Sequence, residues 1–166
     1  MTDYILKMEN ITKSFPGVKA LKDVCLEVRR GSVHALLGEN GAGKSTLIKI
    51  LNGIYKADSG DIYFNGVRTR IANTLDAFHQ GISFVFQELN LISTLTVAEN
   101  IFLGRPMSTS MGLVDRKQMK KQAQEILDSL SFNINANSLV QDLSVAEKQM
   151  VEIARALSGD VQFIVM

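Results

Sequence analysis

The chain has 166 residues, of which 46% are hydrophobic, so it has the length of a single domain and enough apolar material for a core. Lys and Arg number 18 against 17 Asp and Glu, and a net charge of +1 excludes a general electrostatic attraction to nucleic acid. One cysteine, Cys25, excludes an internal disulfide and suits a reducing compartment.

In chain order, no basic region followed by a long apolar run opens the sequence, so no secretory signal is expected. Nor is any apolar run long enough to span a membrane alone. Residues 4–12 read as a strand. Residues 23–29 read as a second, with Val24, Leu26 and Val28 alternating against Cys25, Glu27 and Arg29, and Cys25 is expected to be an ordinary packing residue. Val33 to Leu37 is a mostly apolar run of strand length, and Thr46 to Asn52 is an apolar helix candidate with Gly53 as its stop. Ala57 to Gly60 reads as a turn before a strand from Asp61, which ends at its own Asn65-Gly66 turn. A short helix opened by Asn73 is expected over 73–80, a buried strand over 82–86 and a short helix over 96–103. Residues 104–112 read as the most mobile loop. Asp115 can cap a helix over about 116–130, whose apolar stripe is Met119, Ala123, Ile126, Leu127 and Leu130. Its charged residues, Lys117, Lys120, Lys121, Glu125 and Asp128, read as a solvated face. A helix over 145–157 and a buried strand over 161–166 complete the chain. Strands alternating with helices, plus a helical block between about 90 and 145, indicate an α/β domain with a partly parallel sheet.

Between the run 33–37 and the helix after it lie Gly38-Glu39-Asn40-Gly41-Ala42-Gly43-Lys44-Ser45, a complete G-x-x-x-x-G-K-[ST] phosphate loop. Glycines let the backbone wrap an anion and aim successive N–H groups at it. Lys44 would reach the β- and γ-phosphates, and the Ser45 hydroxyl would sit on Mg²⁺. The helix N-terminus adds a favourable dipole for phosphate.

Three further features gain meaning from that loop. Gln87, at a strand end, could bind Mg²⁺ or the attacking water. Ser144-Val-Ala-Glu147 fits a capping box, and the same hydroxyl and N–H groups could hold a phosphate carried by another subunit. Phe15, read as lying in a turn, either packs locally or stacks on an adenine base. His34 and His79 have no metal-ligand spacing and read as structural.

With these residues in this order, the chain resembles the ATP-binding subunits of ABC transporters over essentially its whole length. Gly38 to Ser45 resembles Walker A, Gln87 the Q-loop glutamine, Leu143 to Glu147 the signature sequence, and Phe15 the aromatic A-loop position. The runs Lys13 to Leu21, Leu95 to Gly104 and Gln149 to Arg155 are similar to the monosaccharide-importer branch, which handles sugars such as ribose, galactose, arabinose or xylose. The resemblance implies a phosphate-loop cassette with a mixed sheet around the Walker A helix, an N-terminal antiparallel β lobe and a helical subdomain. It places 1–32 and 57–72 in the lobe, 33–56, 80–87 and 158–166 in the phosphate-loop core, and about 88–157 in the helical subdomain.

The resemblance also implies ATP and Mg²⁺ as cofactors. Phe15, Gly38, Glu39, Asn40, Gly41, Ala42, Gly43, Lys44, Ser45, Thr46 and Gln87 would bind the nucleotide. Lys44 and Gln87 would be catalytic, Ser45 and Gln87 would meet Mg²⁺, and Ser144 would act in trans. Implied partners are a second cassette, membrane permease subunits and, indirectly, a periplasmic or extracellular sugar-binding protein, with no nucleic acid. The implied location is peripheral, on the cytoplasmic side of the cell membrane. ATP hydrolysis would power import of a monosaccharide. The alternatives are a soluble ABC protein of DNA repair or translation, or a nucleotide-binding module without turnover.

Two departures from the family pattern stand out. Val145, Ala146 and Glu147 replace the usual Gly-Gly-Gln of the signature, adding Cβ atoms and a charge. Phe163 to Met166 resembles the apolar run of Walker B, but its Asp and catalytic Glu are not in the sequence. The expectation is a piece of a longer ATPase, with little or no turnover by itself.

Overall fold

A computed structural model describes residues 3–85, 90–108 and 112–166. The chain divides into two compact units, residues 1–82 and 83–166.

The first unit is built on an antiparallel sheet of four strands, in the order β2-β1-β3-β4. They are β1 (Tyr4–Phe15), β2 (Val18–Arg29), β3 (Ser59–Phe64) and β4 (Val67–Thr69). β1 and β2 are longer than the sequence suggests, because Pro16 and Gly17 turn the chain tightly enough for Phe15 to pair with Val18. Pro presets the first turn position, and Gly17, at φ 81°, takes the left-handed one. The ladder carries four register shifts, two that add a residue to β1 and two that add one to β2. One of the former lies between Met8 and Ile11, and one of the latter between Leu21 and Val24. Asn10 (φ 52°) and Asp23 (φ 49°) sit in these bulges, in a conformation that short polar side chains tolerate best. Leu26 and Val28 lie in the regular stretch opposite Met8 and Leu6, so both are buried while Glu27 and Arg29 face out.

Cys25 is exposed, a correction to its expected packing role. Its Sγ lies 3.4 Å from the Asn10 amide nitrogen, which donates to it. Asn65-Gly66 makes the β3–β4 turn as expected, with Phe64 paired to Val67. Two helices belong to this unit, α1 (Lys44–Leu51) and α2 (Thr74–His79). Asn73 caps α2 by accepting from the Asp76 N–H at 3.0 Å. Leu6, Met8, Ile11 and Leu51 are fully buried.

Residues 33–37 form no strand, contrary to expectation, and Val33 and Leu37 are fully or largely exposed. A strand exists only where a partner accepts its hydrogen bonds, and no described strand pairs with this run.

The second unit is mainly helical. β5 (Ile82–Phe84), which begins at the division, pairs with β6 (Phe163–Val165). The expected burial of 161–166 does not hold: Ile164 and Met166 are exposed, and among the described residues β6 has a neighbour on one side only. The helices are α3 (Val97–Ile101), α4 (Arg116–Ser129) and α5 (Val145–Ala156), with a short 3-10 turn at Val140–Asp142. Asp115 caps α4 through the Gln118 N–H. Met119, Ala123 and Leu127 fill the core with Val97, Ile101 and Val151, while Ile126 and Leu130 are partly buried against it. The expected mobile loop includes 109–111, which lie outside the described residues.

Asn100 is completely buried and closes the 92–96 loop. Its side chain accepts from the Ile92 N–H at 2.7 Å and donates to the carbonyls of Ile92 and Thr96, each at 3.0 Å. Among the described residues no helix is long and apolar enough to cross a membrane.

Candidate functional site

The phosphate loop, Gly38 to Ser45, lies in the first unit and delivers its lysine into α1. Gly41 (φ 85°) and Gly43 (φ 88°) both adopt the left-handed conformation that glycine takes most readily. The two glycines differ in surroundings. A Cβ on Gly41 would meet nothing within 4 Å, whereas one on Gly43 would lie 2.7 Å from the Ala20 carbonyl oxygen and from a Leu21 methyl. Gly43 therefore seats the loop against β2, and Gly41 leaves the loop's outer side open to a ligand.

Lys44 Nζ donates to the Gly38 and Glu39 carbonyl oxygens, so its ammonium is held over the loop's own backbone. Ser45 is exposed and Thr46 half-buried in the first turn of α1. That turn contains no acidic residue, and its outward N–H groups carry the positive end of the helix dipole. Leu47, Ile50 and Leu51 bury the opposite face and fix the helix. Glu39, Asn40 and Ala42 are exposed, and the Ala42 N–H donates to the Glu39 carbonyl at 3.2 Å.

These residues fit a magnesium polyphosphate. They supply a cationic donor, a helix N-terminus, a hydroxyl beside it and a loop face free of Cβ at Gly41. Lys44 and the loop N–H groups would hold the phosphates, and Ser45 would be a ligand of Mg²⁺. When bound, the ion would neutralise phosphate charge.

Phe15 closes β1 beside the turn rather than within it. Its ring meets that of Tyr55 edge-on, with centroids 5.2 Å apart and planes at 69°. Lys13 Nζ lies 5.6 Å from the Phe15 ring centroid and is held by Asp58 at 2.8 Å. Asp58 also accepts from the Ser14 N–H at 2.7 Å. Hydrogen bonds from Lys13 and then Ser14 hold its carboxyl below the usual carboxylate range.

Ser144 belongs to the second unit and caps α5. Its Oγ accepts from the Glu147 N–H at 3.3 Å, and Glu147 accepts from the Ser144 N–H at 2.8 Å, a full capping box. Val145 and Ala146 are exposed beside it. Gln87 lies outside the described residues. His34 and His79 are both exposed.

Some features carried signals that the sequence reading passed over. Thr96-Val-Ala-Glu99 is a second capping box of the Ser144 pattern and opens α3. Tyr55 and Asp58 gave no local sign of contact with residues 13–15, because the chain returns to them only through α1.

Residues 21–166 match the family model for ABC transporters. The chain belongs to that family. It is similar to the ribose import ATP-binding protein of Hahella chejuensis, with 48% identity over 162 residues that cover 98% of this chain and 32% of the relative. It is also 51% identical over 164 residues to a putative ribose/galactose/methyl galactoside import ATP-binding protein of Halalkalibacterium halodurans, covering 98% of this chain and 31% of the relative. The chain spans about a third of the length of these relatives.

Among solved structures it resembles a nucleotide-free ATP-binding cassette from an ABC transporter, with a TM-score of 0.82, 32% identity and coverage of 98% of this chain and 68% of that one. A cassette in its ADP conformation is equally similar, at a TM-score of 0.82, 32% identity and coverage of 99% and 68%. The fold is that of an ATP-binding cassette.

Proposed function

We propose that this chain binds MgATP and belongs to the ATPase part of a monosaccharide importer. The observation that carries the reading is Lys44 at the head of α1, below a loop with left-handed Gly41 and Gly43. The sugar-import names of the relatives support the transport assignment.

In this reading Gly38, Glu39, Asn40, Gly41, Ala42, Gly43 and Lys44 wrap the phosphates, with Thr46 behind them. Ser45 and Gln87 meet Mg²⁺, Phe15 stacks on the adenine, and Lys44 and Gln87 serve hydrolysis. Ser144 and the N-terminus of α5 meet the nucleotide of a second cassette. The division of labour is the β lobe over 1–32 and 57–72, the phosphate-loop core over 33–56, 80–87 and 158–166, and the helical subdomain over about 88–157. Membrane permease subunits receive the motion, a sugar-binding protein outside the membrane delivers the cargo, and the protein sits peripherally on the cytoplasmic face.

ATP binding measured with and without Mg²⁺ tests the site. Mg²⁺ should strengthen binding to the wild type and help Ser45→Ala much less. Equal enhancement in both proteins would remove Ser45 from the metal site.

A further inference from the structure

We infer that Tyr55, Lys13 and Asp58 form a brace that fixes the Phe15 ring for base recognition, making them positioning residues for the nucleoside end of the ligand. The inference rests on the nucleotide reading above and deepens it.

The brace is made by chain topology. β1 holds Lys13, Ser14 and Phe15 at its far end, paired with β2 up to the Pro16-Gly17 turn. α1 carries the chain away from the phosphate loop and returns it at Tyr55, whose N–H donates to the Lys49 carbonyl at 3.2 Å just past the helix end. Gly53, at φ 72°, turns the chain there, and a Cβ on it would lie 2.5 Å from the Asn73 carbonyl oxygen, so the path is closely defined. Three residues later Asp58 reaches back to β1. Its N–H donates to the Thr12 carbonyl at 2.8 Å while its carboxylate holds Lys13 and the Ser14 N–H.

Phe15 is thus fixed from two directions. Tyr55 meets the ring edge-on, and Lys13, itself anchored by Asp58, stands off it as a cation. Lys49 Nζ in turn lies 5.5 Å from the Tyr55 ring centroid. The segment that follows the phosphate-loop helix therefore braces the aromatic ring. Phosphate binding and base binding share one rigid path through α1, with Gly43 seating its near end on Ala20 of β2. A ring whose plane is set beforehand loses little freedom when a base stacks on it, so the brace should act on affinity for the base and not on affinity for phosphate.

The test compares ATP with inorganic tripolyphosphate, each with Mg²⁺, on the whole chain. Tyr55→Leu and Asp58→Ala should each weaken ATP binding about three- to tenfold and leave tripolyphosphate binding within about twofold. Tyr55→Phe keeps the ring and should bind ATP like the wild type. If both ligands weaken together in Tyr55→Leu and Asp58→Ala, or neither weakens, the brace has no role in base recognition and the inference fails. A wild type that binds tripolyphosphate as tightly as ATP also overturns it, while leaving the phosphate site intact. A wild type that binds neither ligand overturns the nucleotide reading and this inference together.

Discussion

Asn90 is joined to Glu152 across 62 residues of chain: its backbone N–H donates to the Glu152 carboxylate at 2.8 Å. Arg155, one turn further along α5, donates to the Asn90 carbonyl at 3.2 Å. Both peptide groups of one residue are therefore held by the helix that Ser144 caps. Glu152 is buried, so its charge relies on such partners in place of water.

Glu152→Ala should destabilise the chain by about 1–2 kcal/mol, the cost of losing a charge-assisted hydrogen bond whose freed N–H can find water. Urea unfolding measures the loss, and hydrogen exchange should speed up at Asn90 before it does at Leu127. Unchanged exchange at Asn90 would show that the contact does not hold the backbone there.

The capping boxes make stability depend on acid. Glu147 is held below its ordinary pKa by hydrogen bonds from the Ser144 hydroxyl and backbone, and Glu99 by the Thr96 backbone and hydroxyl. A carboxylate with a depressed folded-state pKa contributes stability above its unfolded pKa, and that contribution is lost as pH falls through the folded value. The urea midpoint should therefore hold between about pH 7 and pH 5 and fall below about pH 4. Glu147→Gln keeps the box geometry but cannot titrate, so its deficit should shrink with acid. A deficit constant from neutral to acid pH would contradict this.

Gly41 and Gly43 should respond unequally to alanine. Both are left-handed, which costs a residue with a Cβ about 1 kcal/mol. Only at Gly43 would the new atom strike backbone, at the Ala20 carbonyl oxygen. Gly43→Ala should cost a further 1–3 kcal/mol or so for overpacking. Thermal unfolding of the two variants decides it, and equal losses would mean that Gly43 does not seat the loop on β2.

Much of this could be read in the sequence because the signals were local. Asn73, Asp115 and Ser144 each stand just before a helix and cap the N–H three residues on, as their spacing implies. The Asn65-Gly66 turn and the phosphate loop are equally self-contained. The failures are non-local. Val33 to Leu37 has strand composition, but composition supplies no partner. Cys25 alternates correctly, yet which face of β2 is covered depends on what packs there. The Asn90–Glu152 and Phe15–Tyr55 contacts leave no periodicity or spacing to find, because they arise only when distant segments are packed.

The central claim is that this chain holds a nucleotide through its phosphate loop, and calorimetric titration of the chain with MgATP tests it most directly, with Lys44→Ala alongside. The account predicts saturable binding by the wild type and an affinity lower by about tenfold to a hundredfold in the variant, the worth of a hydrogen bond to a charged group. Equal affinities in the two proteins, or no saturable binding by the wild type, would contradict it.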